Sequence, residues 1–241
     1  MSGAAEATAE IPQRPEPTWM EYWWVRGRDK IRYTKDDANV ILAFGERNAG
    51  KSALLECFGE QYLSRGHSVL DLFGASSGEG LAWLRSPWAN ECEPLIIKGQ
   101  NMDVKCSWHC LSWNEVTLRD LEKHQIVISA GPLYYRTMSY DEEFPAVEKI
   151  LSLLVERHGW QKAMCIIIRE ASRLLFSRKK KYEEQSAART GAVWLLQEGR
   201  HHGLALVADA QKSTSMDTDV RALADFRIFK AQGSCPIPKD Y

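Results

Sequence analysis

Eight consecutive residues, Gly45-Glu46-Arg47-Asn48-Ala49-Gly50-Lys51-Ser52, carry the plainest chemistry in the chain. Two glycines bracket four residues and are followed by an ammonium and a hydroxyl. Glycine permits a sharp turn and leaves no Cβ in the way, so backbone N–H groups can close on phosphate oxygens. Lys51 is then placed to reach the β- and γ-phosphates, and Ser52 to offer its hydroxyl oxygen to Mg²⁺. The flanks agree. Val40-Ile41-Leu42-Ala43-Phe44 is the apolar run of a strand buried on both faces. Residues 52–63 set Leu54, Leu55, Phe58 and Tyr62 on one helical face. A strand entering the loop and a helix leaving it bring the positive helix end to the phosphates. The chain is therefore expected to bind a nucleoside triphosphate with Mg²⁺. It has no Asn-Lys-x-Asp element of the kind that reads guanine, which points to ATP.

The elements that must hold this loop can be read outward from it. Further apolar runs at 68–73, 95–97, 126–129, 163–168, 204–208 and 226–229 predict strands. Helical patterns lie between several of them, at 145–158, where Pro145 falls near the predicted start, and at 183–199. Strands separated by helices argue for an α/β fold with a mostly parallel sheet covered on both faces. Residues 1–17 are rich in Ala, Glu and Pro and are expected to be a flexible tail. Residues 18–38 form an aromatic-rich extension (Trp19, Tyr22, Trp23, Trp24, Tyr33), suited either to packing on the core or to a partner or subunit contact. Residues 39–241 are expected to be the nucleotide-binding domain.

Composition narrows the function classes. The 241 residues hold 31 basic and 32 acidic side chains, so contact with a polyanion has to come from a local patch rather than from overall charge. No apolar run approaches the roughly 18 residues of a membrane helix. The first 18 residues lack the layout of a secretory signal, and cytoplasmic residence is expected. The six cysteines are spread out rather than set as a disulfide frame. Cys92, Cys106, His109 and Cys110 match no common zinc spacing and read mainly as packed thiols.

Two further motifs sit in the second half. The strand ending at Ile168 leads into Arg169-Glu170. Where such a strand of a phosphate-loop ATPase ends in Asp-Glu, the Asp supports the Mg²⁺ shell and the Glu polarises the attacking water. Glu170 occupies the water-activating position, but a cation, Arg169, stands where the Asp belongs. Then Arg200-His201-His202-Gly203 turns into an apolar strand that ends near Gln211, followed by an Asp-containing segment (Asp217, Asp219) and a last strand.

This order of motifs resembles the HerA–FtsK group of DNA-pumping P-loop ATPases, which includes viral genome-packaging and conjugation motors. The resemblance spans about 39–232 and is specific only in its three motif regions. It implies a three-layer P-loop NTPase fold of the RecA-like ASCE type, with the strands of Lys51, Glu170 and Gln211 side by side. It implies that Gln211 is the polar sensor of the γ-phosphate. Arg200 would be an arginine offered to a neighbouring subunit's nucleotide, with Arg189 in reserve. Ala210 for Thr, and Lys212-Ser213 for Arg-Pro, are milder departures than Arg169. Members of the group work as ring hexamers threading double-stranded DNA. The cluster Arg178-Lys179-Lys180-Lys181 beside Tyr182 suits sequence-blind phosphate contacts in such a pore.

The expected function is an ATP-driven double-stranded DNA translocase, packaging or transferring a viral or mobile-element genome as a ring oligomer. A capsid portal or a membrane assembly protein is a further partner to expect, and host cytoplasm the place if the chain is viral. The competing reading is a nucleotide-gated phage assembly or secretion ATPase of the zonula-occludens-toxin type, with weak turnover and a protein or membrane partner. Arg169 motivates that reading, since a cation there would repel Mg²⁺ unless it points elsewhere.

Overall fold

A computed structural model describes residues 38–73, 79–104, 107–129, 140–157, 163–176 and 185–231. Eight strands form one sheet: β1 (Val40–Phe44), β2 (Ser68–Phe73), β3 (Leu95–Lys98), β4 (His109–Ser112), β5 (Ile126–Ser129), β6 (Met164–Ile168), β7 (Leu204–Ala210) and β8 (Phe226–Phe229). Their order is β4-β3-β5-β2-β6-β7-β1-β8, and every neighbouring pair is parallel. Parallel strands need crossovers, and these are supplied by α1 (Lys51–Ser64), α2 (Pro87–Cys92), α3 (Leu118–Lys123), α4 (Tyr140–Val155), α5 (Gln185–Glu198) and α6 (Thr218–Ala222). None of the described helices is long and apolar enough to cross a membrane.

Alternation along the strands divides the core into two layers. Ile41, Ala43, Val69, Ile128, Ile167 and Val207 pack on one face against Leu54, Leu55 and Phe58 of α1. Leu42, Phe44, Leu70, Ile166 and Leu206 pack on the other against Val147, Ile150 and Leu151 of α4 and Ala192 and Leu195 of α5. The result is a three-layer α/β arrangement. Strand β7 is inserted between β1 and β6, which sets the Lys51, Glu170 and Gln211 strands next to one another.

Beyond the short helices α2, α3 and α6, which the sequence reading did not mark, three elements depart from it. Strand β4 forms where only a cluster of thiols and imidazole was legible. Helix α4 begins at Tyr140, not Pro145, so Pro145 lies inside it. Asp141, Glu142 and Glu143 fill the first turn and favour the N-terminal dipole. The missing N–H of Pro145 leaves a single intrahelical bond unmade, one turn into the helix. Strand β7 runs two residues beyond Ala208, so Asp209 lies within the sheet.

Candidate nucleotide site

The phosphate loop is shaped by the elements on either side of it. Gly45 donates its N–H to the Ala210 carbonyl (3.3 Å) and Glu46 to that of Ala231 (2.8 Å), so the ends of β7 and β8 anchor the loop's first residues. Asn48 and Gly50 have positive φ, 64° and 76°. Gly50 is the N-cap of α1, and no side chain caps the helix. The first N–H groups of this 14-residue helix are thus left for an anion. Lys51 is buried and donates from Nζ to the Glu46 carbonyl (3.0 Å), which holds its ammonium over the loop. Ser52 stands in the first turn of α1. Glu46, Arg47 and Asn48 form the exposed outer rim, with Ala49 half-buried behind them. A second cation joins them. Lys230, directly after β8, donates its N–H to the Phe44 carbonyl (2.8 Å) and its Nζ to the Gly50 carbonyl (3.2 Å). Its position directly after the apolar run 226–229 was the only signal available in the sequence.

Glu170 follows β6 with a left-handed backbone (φ 49°). Its N–H donates to Asp209 Oδ1 at 2.7 Å, and its Oε1 accepts from Gln211 Nε2 at 3.3 Å. Because β7 separates β6 from β1, Gln211 at the end of β7 stands between the carboxylate of Glu170 and the phosphate loop. The three expected residues are therefore brought to one sheet edge, the C-terminal edge at which open α/β sheets take their ligands.

The structure explains Arg169. Its side chain is 1% exposed and is engaged by Asp71 on β2, itself 0% exposed. Nε lies 3.0 Å from Asp71 Oδ2 and 3.3 Å from Oδ1; Nη2 lies 2.7 Å from Oδ2 and 3.2 Å from Glu56 Oε1. Trp83 Nε1 completes the set on Asp71 Oδ2 at 2.9 Å. That ring fits only because residue 59 of α1 is glycine: a Cβ there would fall 2.6 Å from the indole. Arg169 is thus a structural cation bound by two carboxylates. It does not stand in for a magnesium-supporting acid.

Asp209 is a further residue that the sequence reading missed. It is 4% exposed, and its carboxyl is pushed up to about 6 from an ordinary 3.8. Burial is the main cause and the nearby Glu170 charge adds to it. The hydrogen bond from the Glu170 N–H and the charges of Lys51 and Arg169 pull the other way.

Other expected residues lie apart. Arg200 is exposed in the short 3₁₀ turn Gly199–His202 that precedes β7. It therefore sits at the sheet edge opposite Lys51, one seven-residue strand away, or roughly 20 Å. It cannot serve its own chain's phosphates. Arg189, the reserve arginine, is bound to Asp217 (2.7 Å) and lies over the Phe176 ring at 4.8 Å. Arg178, Lys179, Lys180 and Lys181, and the aromatics of 18–37, lie outside the described residues. Among the described residues no group of His, Cys, Asp and Glu could by itself hold a metal ion. Cys92 instead donates to Gln125 and Cys110 to the Trp108 carbonyl.

No protein-family model and no curated protein sequence matches the chain. Among solved structures it is similar to the genome packaging NTPase B204 of Sulfolobus turreted icosahedral virus 2. With AMP bound, that structure gives 20% identity, coverage of 79% of this chain and 74% of that one, and a TM-score of 0.46. With sulfate the values are 19%, 79%, 73% and 0.45. The FIGL-1 AAA domain with ADP is more distant, at 16% identity, 80% and 43% coverage and a TM-score of 0.39.

Proposed function

We propose that this chain is a magnesium-dependent ATPase that moves double-stranded DNA as a ring oligomer. The observation that carries the hydrolytic part is that Lys51, Glu170 and Gln211 follow the C-terminal ends of the adjacent strands β1, β6 and β7, with Gln211 bonded to the Glu170 carboxylate. The loop fits a triphosphate and Mg²⁺: Gly50 is left-handed, the N-terminus of α1 is uncapped, and a hydroxyl follows the lysine. Lys51 would bind the β- and γ-phosphates, and Ser52 would hold the ion, which when bound offsets charge on the phosphate oxygens. Glu170 would orient a water in line with the γ-phosphorus and take its proton as the new P–O bond forms and the bond to the β,γ-bridging oxygen breaks, with ADP as the leaving group. Gln211 links that carboxylate to the γ-phosphate, so bond breakage alters the end of β7.

The DNA and ring parts rest on the sequence pattern and on the place of Arg200. An exposed arginine at the far sheet edge is useful to hydrolysis only if it completes the next subunit's site. Residues 178–181 would supply cations to the DNA backbone, and the work would be done in the cytoplasm, that of the host if the chain is viral. The assembly or secretion alternative loses its chief motive once Arg169 is bound by Asp71 and Glu56. The test is turnover by the purified protein with and without double-stranded DNA, alongside its mass in solution. ATP hydrolysis stimulated by DNA in an oligomer supports the reading. Turnover in a monomer indifferent to DNA would contradict it and favour a protein or membrane partner.

A further inference from the structure

A buried carboxylate ordinarily has a cation or a metal beside it, since an ionised group taken out of water must recover its hydration elsewhere. Asp209 lacks the first of these among the described residues, where it makes no ion pair. Of the two cations whose charge reaches it, Lys51 donates to the Glu46 carbonyl and Arg169 is drawn to Asp71 and Glu56. One oxygen of Asp209 accepts from the Glu170 N–H; the other, Oδ2, makes no hydrogen bond among the described residues. The fold alone gives no reason for this arrangement.

Its place in the sheet gives one. Asp209 pairs in register with Ala43, two residues before Gly45. It lies two residues from Val207, which packs in one layer with Leu54 and Leu55, so both project from β7 to the side covered by α1. That side holds the first turn of α1, with Lys51 and Ser52, and the Lys51 charge acts on the Asp209 carboxyl. We propose that Asp209 supplies from β7 the carboxylate that supports the nucleotide-bound Mg²⁺, a position that Arg169 vacates on β6. The acid has moved one strand sideways in the sheet. Asp71 acts as a positioning residue, because it keeps Arg169 from neutralising Asp209. The same carboxylate holds the Glu170 backbone, so the ion's support and the water-activating residue share one anchor.

The inference rests on the nucleotide-binding reading above, and binding rather than turnover separates the two. A fluorescent ATP analogue is titrated into wild type and Asp209→Asn, first in EDTA and then in a Mg²⁺ series, with Mn²⁺ binding to the complex followed by paramagnetic resonance. Asn keeps an oxygen for the Glu170 N–H and removes only the charge. In EDTA the variant should bind nucleotide as well as wild type or better, because a negative group beside the phosphates is gone. Its affinity for Mg²⁺ or Mn²⁺ in the complex should fall roughly 10–100-fold, as when an outer-shell ligand is removed. Metal affinity equal to wild type would overturn the proposal. So would weaker binding in EDTA, which marks a purely structural role. Failure of the wild type to bind nucleotide at all would overturn the phosphate-loop reading, and this inference with it.

Discussion

Replacing Arg169 by methionine tests whether the unexpected cation is structural. Methionine approximates its length and removes all of its charge. Asp71, 0% exposed, would lose three nitrogen–oxygen contacts of 2.7–3.3 Å and keep only the Trp83 donor. Leaving one partner of a buried ion pair uncompensated costs about 3–5 kcal/mol. At roughly 2–4 °C per kcal/mol for a chain of this size, Tm falls by about 6–20 °C. The assay is urea and thermal unfolding of the nucleotide-free protein. A second variant, Arg169→Met with Asp71→Asn, removes the stranded charge while keeping an acceptor for Trp83, and should recover most of the loss. Arg169→Asp, which sequence comparison alone would suggest as a gain in turnover, places a third carboxylate beside Asp71 and Glu56. It should be less stable than the methionine variant and no faster. A loss under about 1 kcal/mol for Arg169→Met, or no recovery on adding Asp71→Asn, would refute the buried-pair argument.

Three further outcomes follow from the geometry. The folded state holds a proton on Asp209 more tightly than the unfolded chain does, with a pKa of about 6 against 3.8. This contribution to stability is fully present below about pH 4 and is lost as pH rises through 6; the gap of about two units amounts to about 3 kcal/mol. Asp209→Asn should therefore be more stable than wild type at pH 7.5, and the difference should vanish near pH 4 in denaturant titrations of the metal-free protein. Gly50→Ala forces a side chain onto φ 76°, with its Cβ 3.1 Å from Lys230 Nζ. It should lose about 1–2 kcal/mol and bind nucleotide poorly in calorimetry. For Arg200, Lys51→Ala and Arg200→Ala should each be inactive alone, yet a one-to-one mixture should regain about a quarter of wild-type sites if arginine and lysine meet across a closed ring interface. No regain would remove Arg200 from the site.

Local pattern made the phosphate loop legible, since strand, glycines and helix are contiguous in the chain. Glu170 was marked by the apolar run it follows, which had to be a strand, whereas Gln211 was singled out only by what the family resemblance implies. What escaped is tertiary. Asp71 and Arg169 are 98 residues apart and meet only because β2 and β6 are neighbours, so nothing local marked the arginine as buried. Asp209 was hidden because a charged residue ends an apolar run by inspection. The backbone ladder continues regardless of side-chain polarity, and β7 carries the acid into the core. Strand β4 was obscured in the same way, because on the sheet edge it buries only one of its four residues.

The most direct measurement is a single-turnover comparison of ATP hydrolysis by wild type and Glu170→Gln, with nucleotide binding measured in parallel. If Glu170 activates the attacking water, the variant binds ATP at least as well as wild type and hydrolyses it roughly 10²–10⁴-fold more slowly. Cleavage by Glu170→Gln at the wild-type rate would contradict the account at its centre, since the carboxylate that β6 and β7 hold in place would then have no part in the chemistry.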